Sequence, residues 1–136
     1  MAQTLLQNQA MGATARLASK IITATRDLTA AGAPTDVAYT GVGFKPTAII
    51  CLAAIDGSGT VLSIGVADSS KTVQNVDYDA GTTYYINNDR FIAALPSGAN
   101  YQTAIVKSYD DDGFTLTWTK SASPTGTLRM TFLCFR

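Results

Sequence analysis

Residues 113–120, GFTLTWTK, alternate strictly: Phe114, Leu116 and Trp118 fall on one side, and Thr115, Thr117 and Thr119 on the other. Only a strand separates those two sets, because successive side chains of an extended chain point to opposite faces. The apolar face needs cover and the threonine face does not, so this segment demands a second layer of structure. SASPTG then reverses the chain, and TLRMTFLCF returns with Leu128, Met130, Phe132 and Cys134 on one face. Leu133 and Phe135 on its other face predict cover on both sides at the end of that strand.

The upstream sequence repeats this grammar. KIITATRDL and DVAYTGVGF are separated by TAAGAPT, whose Gly32, Ala33 and Pro34 read as a turn. TAIICLAAI, residues 47–55, is apolar at nearly every position and predicts a strand buried on both faces. Asp56-Gly57-Ser58-Gly59 supplies a hairpin loop, with VLSIGVA as its return strand. From Asp68 to Asn100 the pattern is less regular. TTYYI and RFIAAL read as short strands joined by Asn87, Asn88 and Asp89, and Pro96-Ser97-Gly98 closes the section. YQTAIVKSYD is a further strand, and Asp110-Asp111-Asp112-Gly113 turns the chain into GFTLTWTK. Eight or more short strands at this spacing predict an all-β fold, an antiparallel β-sandwich of jelly-roll type.

Residues 1–18, MAQTLLQNQAMGATARLA, follow another rule. Leu6, Ala10, Ala13, Leu17 and Ile21 are spaced to line one helical face, which Met11-Gly12 interrupts. The segment reads as an N-terminal arm, helical in part and ordered by another surface, ahead of a sandwich domain over 19–136. Leu5, Leu6, Met11 and Leu17 are its candidate anchors on a partner, being apolar groups that a marginal segment cannot bury alone.

Composition removes several chemistries. The chain has ten Asp, no Glu and no His. Without histidine there is no Ser-His-Asp triad, no Cys-His pair and no His-ligated zinc or copper. A paired-Glu glycosidase is excluded as well, although two Asp can do that work. The 19 Thr and 9 Ser outnumber the 20 charged residues, which suits pleated surface better than helix. Lys plus Arg balances Asp at 10 each, so charge points to neither nucleic acid nor an anionic membrane. We therefore expect binding or structure rather than catalysis, with no cofactor and no metal; an Asp-based hydrolase is the remaining enzymatic reading, and no Asp pair is marked as sharing a cleft.

Individual motifs weigh toward structure. Gly41-Val42-Gly43-Phe44-Lys45-Pro46-Thr47 has the residue types of a phosphate loop, but Pro46 separates Lys45 from Thr47 and no helix follows. Gly41 and Gly43 read instead as a bend, and Pro46 as the lead into the next strand. Asp110, Asp111 and Asp112 lack the alternate spacing of a calcium loop and read as a solvated turn. Trp118 reads as core rather than as a sugar platform. Tyr84, Tyr85 and Tyr101, in the less regular middle, are candidate exposed aromatics for contacting a partner. Cys51 and Cys134 lie in apolar runs and are expected as reduced thiols; a disulfide stays open if the first and last core strands are neighbours. No signal-peptide pattern opens the chain, and no apolar run reaches the roughly 20 residues of a membrane helix.

GVGFKPTAII, the SIGVAD that follows the first hairpin, and DDDGFTLTWTKSASPTGTLRMTFLCF together resemble a recurrent domain of tailed-bacteriophage virion proteins. The resemblance spans roughly residues 36–136, and the terminal hairpin is its most specific part. It implies a virion structural protein, assembled in the host cytoplasm, that serves as a capsid decoration or cement protein on the major capsid protein or another virion protein. A tail or fibre module that recognises host glycans is the alternative. Phe44, Pro46 and Gly113-Phe114 are also similar to small H-type lectin domains, trimeric β-sandwiches that bind sugars; no sugar-binding residue carries over. Virion symmetry implies a homo-oligomer, a homotrimer first and a dimer second.

Overall fold

The computed structural model describes residues 17–30, 34–57, 61–79 and 83–136. These form ten strands: β1 (Ser19–Asp27), β2 (Thr35–Thr40), β3 (Ala48–Ile55), β4 (Leu62–Asp68), β5 (Val73–Asp79), β6 (Thr83–Asn87), β7 (Ile92–Ser97), β8 (Asn100–Asp110), β9 (Gly113–Ser121) and β10 (Thr127–Phe135). They build a six-stranded sheet in the order β1-β10-β3-β4-β5-β6 and a four-stranded sheet in the order β2-β9-β8-β7. Every pairing is antiparallel, and the two sheets pack as a β-sandwich.

The core follows from the alternation. Leu128, Met130, Phe132 and Cys134 of β10 face inward beside Ile49, Cys51, Ala53 and Ile55 of β3, and they meet Phe114, Leu116 and Trp118 of β9. Phe132 is the hub, with ring centroids 4.9 Å from Phe114, 5.1 Å from Tyr39 and 6.5 Å from Phe91. Trp118 is core, as expected; its indole Nε1–H donates to Tyr39 Oη at 3.1 Å and its ring lies 4.4 Å from the Arg26 guanidinium carbon.

Polar staples join the two layers where apolar packing gives out. Arg26 of β1 donates to Gln102 of β8, and the Gln102 amide donates to the Leu28 carbonyl at 2.7 Å. On the other side of the core, the Ala93 N–H of β7 donates to Ser63 Oγ at 3.0 Å, and Asn75 Nδ2 donates to Ser63 Oγ at 2.7 Å and to the Phe91 carbonyl at 3.3 Å. The donors of these buried groups are paired, which is what makes their burial tolerable, while Asn75 Oδ1 is buried without a partner among the described residues. The Asp110–Gly113 turn also does more than reverse the chain: Asp112 accepts from the Gly43 N–H at 2.6 Å and the Gly41 N–H at 3.0 Å, clamping the β2–β3 bend to the β8–β9 hairpin. Gly41 and Gly43 form that bend with φ of 89° and 82°, in the region glycine favours.

Two expectations need correction. β3 is not buried on both faces: Leu52 is half exposed on its outer side, and Ile50 and Ala54 are half-buried. Leu133 and Phe135 are likewise only half-buried. The strand expected in KIITATRDL is β1, which starts at Ser19 and pairs residue for residue with β10, so Ile21 belongs to the sandwich. Residues 1–16, with Leu5, Leu6 and Met11, lie outside the described residues.

Candidate functional site

The outer face of the six-stranded sheet is the chemical anomaly of the molecule. Pairing register lays its side chains in rows across the strands. One row runs Thr23, Thr131, Leu52, Ile64, Val76, Ile86, from β1 to β6. The row beside it runs Ile21, Leu133, Ile50, Val66, Gln74, and the row on the other side Thr25, Arg129, Ala54, Leu62, Tyr78, Tyr84. An antiparallel sheet with one solvated face normally turns polar residues outward. Here Leu52 is 51% exposed, Ile21 61%, Ile86 72% and Tyr84 69%.

The cause lies in which residues each strand turns inward. In β4, Ser63, Gly65 and Ala67 point to the core while Leu62, Ile64 and Val66 point out; in β5, Asn75 and Asp77 are buried while Val76 is exposed. The large apolar side chains of β4, and Val76 of β5, are therefore spent on the outside, while Val73 packs against the core. Gly65 explains the arrangement in β4, since a Cβ there would stand 1.8 Å from the Phe91 carbonyl oxygen. The chain leading into β7 presses so closely on β4 that small residues must face it.

Charge is kept to the margins. Arg129 is the one charged side chain in the three rows, and it pairs with Asp56 of its own chain at 2.7 Å. Asp27 and Asp68 lie at the rim, each accepting hydrogen bonds from its own turn, from Thr29 and Ser70 respectively, which hold both carboxyls below the ordinary carboxylate range. At one end the face deepens into an apolar recess of about 530 Å³ lined by Ile50, Val66, Val73, Gln74, Asn88 and Phe135 among others.

The opposite outer face, on the four-stranded sheet, is ordinary. Asp36 pairs with Lys107 and accepts from Thr117 Oγ1 at 2.6 Å, and Thr115 donates to Asp110 at 2.7 Å. Ile105 is the large exposed apolar side chain there.

The candidate tyrosines are separated rather than gathered. Tyr84 stands on the apolar face, stacked on Tyr78 with centroids 4.6 Å apart. Tyr85 is also exposed but points to the other side of edge strand β6, opposite Asp77, and Tyr101 is half-buried on β8 of the other sheet. Leu17 is exposed just before β1. Cys51 and Cys134 are free, buried and on neighbouring strands, with burial pushing both thiols up, Cys134 to about 11. Among the described residues, no three Asp or Cys side chains come together as metal ligands. Asp77, the buried acid, accepts from the Asn87 side chain.

No family model, no curated protein and no solved structure matches the chain.

Proposed function

We propose that this is a non-enzymatic adhesive protein of a tailed-bacteriophage virion, a capsid decoration or cement protein that stabilises the assembled shell. The observation that carries the adhesive reading is the largely apolar outer face of the six-stranded sheet, whose three rows hold a single charge, Arg129, set against the ordinary polar face on the other side. Contiguous exposed apolar surface of this extent marks interaction sites in soluble proteins. The virion setting rests on the resemblance of GVGFKPTAII and the terminal hairpin. A protein that binds only the expanded shell stabilises that state by its differential affinity. In this reading the arm over 1–18 grips the major capsid protein or another virion protein, with Leu5, Leu6, Met11 and Leu17 as anchors. The jelly-roll assignment belongs here as well: β1 pairs with β10 and β2 with β9 as nested antiparallel partners drawn from the two ends of the chain, and this supports it.

Labelled protein mixed with shells tests the proposal. Saturable binding to expanded shells, lost on deletion of residues 1–18, is the expected result; shells left bare by the full chain overturn it. The stacked Tyr78–Tyr84 pair favours one alternative, a tail or fibre module that recognises host glycans through exposed aromatics. Saccharide binding abolished by Tyr84→Ala, with labelled copies at the tail rather than the shell, would decide for it.

A further inference from the structure

We propose that the apolar outer face of the six-stranded sheet is where this chain meets a second copy of itself. The inference rests on the adhesive reading of that face and adds its occupant.

Size comes first. Six strands spaced about 4.8 Å apart, each near seven residues of about 3.3 Å, give a face of roughly 650 Å². A standard interface buries about 600–1,000 Å² per partner, so a face-to-face pair of these sheets reaches the lower part of that range without help from other surfaces. Stacked sheets sit about 10 Å apart, the spacing that lets side chains from two such faces interdigitate.

Charge selects the occupant. The chain has a formal net charge of zero, so two copies approach without net repulsion. The row Leu52, Ile64, Val76, Ile86 carries no charge to be set against its own likeness. Arg129, the exception in the neighbouring row, is already neutralised by Asp56 on the same chain. A partner recognised by charge would need a signed surface, and this face has none. A self-complementary apolar patch needs only another copy, the arrangement from which closed homo-oligomers are built.

Sedimentation of the full chain over a wide range of concentration tests this. The wild-type protein is expected at a multiple of the chain mass, and Ile64→Lys is expected as a single chain with an unaltered β-sheet circular dichroism spectrum. Thr117→Lys, on the outer face of the other sheet, should assemble like wild type. If Ile64→Lys does not fold, the milder Leu52→Thr/Ile64→Thr pair, which keeps strand-compatible side chains, should weaken association at least tenfold. A wild-type protein that stays a single chain at all concentrations overturns the proposal, as does a folded Ile64→Lys that still assembles. A single chain that begins to assemble when residues 1–16 are removed would make that segment the occupant and overturn it too. The two readings fail separately: shells coated by single chains refute self-association alone, and assembled protein that leaves shells bare refutes the decoration role alone.

Discussion

Gly65 of β4 lies so close to Phe91 that an added Cβ would come within 1.8 Å of the Phe91 carbonyl oxygen and 3.0 Å of the carbonyl carbon. Backbone, not a flexible side-chain tip, blocks that space. Gly65→Ala should therefore cost about 3 kcal/mol or more, because relief requires the chain entering β7 to move away from the sheet. Gly57 is a useful contrast: nothing stands within 4 Å of its missing Cβ, and only its φ of 70° resists a side chain, so Gly57→Ala should cost about 1–2 kcal/mol. Urea unfolding midpoints of the two variants should separate clearly.

The Arg26–Gln102 staple predicts a coupled loss. Gln102→Leu strands both the Arg26 guanidinium and the Leu28 carbonyl in the core and should destabilise by about 2–4 kcal/mol. Arg26→Met also removes the cation facing Trp118. The double variant should cost less than the sum of the singles, a difference measurable in a double-mutant cycle of chemical unfolding. Strict additivity would mean the two side chains do not act as a unit.

Much of this fold was legible in the sequence, and the failures share one cause. GFTLTWTK marks its own inward face, since its apolar set is large and its other set hydroxylated, and TLRMTFLCF does so over Leu128, Met130 and Phe132, which alternate with Thr127, Arg129 and Thr131. VQNVDYD hid β5 because its inward residues are Asn75 and Asp77 while Val76 faces out, inverting the usual code. The same inversion conceals the outer face: VLSIGVA reads as a return strand with no inward side assigned, and nothing local marks Ser63, Gly65 and Ala67 as the buried set. A signal for the staples was present, however. Gln102 shares a face with Ala104 and Val106, and Arg26 with Ile22 and Ala24, so both were polar residues at core-facing positions.

Tyr109 offers a test in the stabilising direction. Its hydroxyl is buried without a hydrogen-bond partner among the described residues, and burial pushes its pKa well above the ordinary tyrosine value. An unsatisfied buried hydroxyl is a cost that Tyr109→Phe removes while keeping the ring. The variant should be neutral or up to about 1 kcal/mol more stable, seen as an unchanged or higher melting temperature. A loss above about 1 kcal/mol would mean that the hydroxyl has a partner after all.

Acid should weaken the fold through its turns. The N–H groups of Gly43 and Gly41 hold the Asp112 carboxyl below its ordinary value, and the Ser70 hydroxyl, Arg129 and Lys107 do the same for Asp68, Asp56 and Asp36. A carboxyl depressed in the folded state adds stability above its unfolded pKa and loses it as pH falls through the folded one, so melting temperature should decline below about pH 4. Asp112→Asn should flatten that decline. Alkali acts in the opposite sense: the buried Cys134 thiol, raised to about 11, favours the folded chain at neutral pH, and that contribution should fade as pH rises beyond about 8.5.

The Arg136 N–H donates to the Ala18 carbonyl at 2.9 Å, so the first and last strands leave the sandwich at a shared corner. A passenger attached after Arg136 would emerge beside residue 18, where the chain enters β1. A passenger sewn instead into the β8–β9 hairpin would sit on a different loop but would threaten the Asp112 clamp. The geometry also allows a short bridge to tie residue 136 back to residue 18, with new ends opened in a surface loop, to ask whether the arm must lead the chain in order to act.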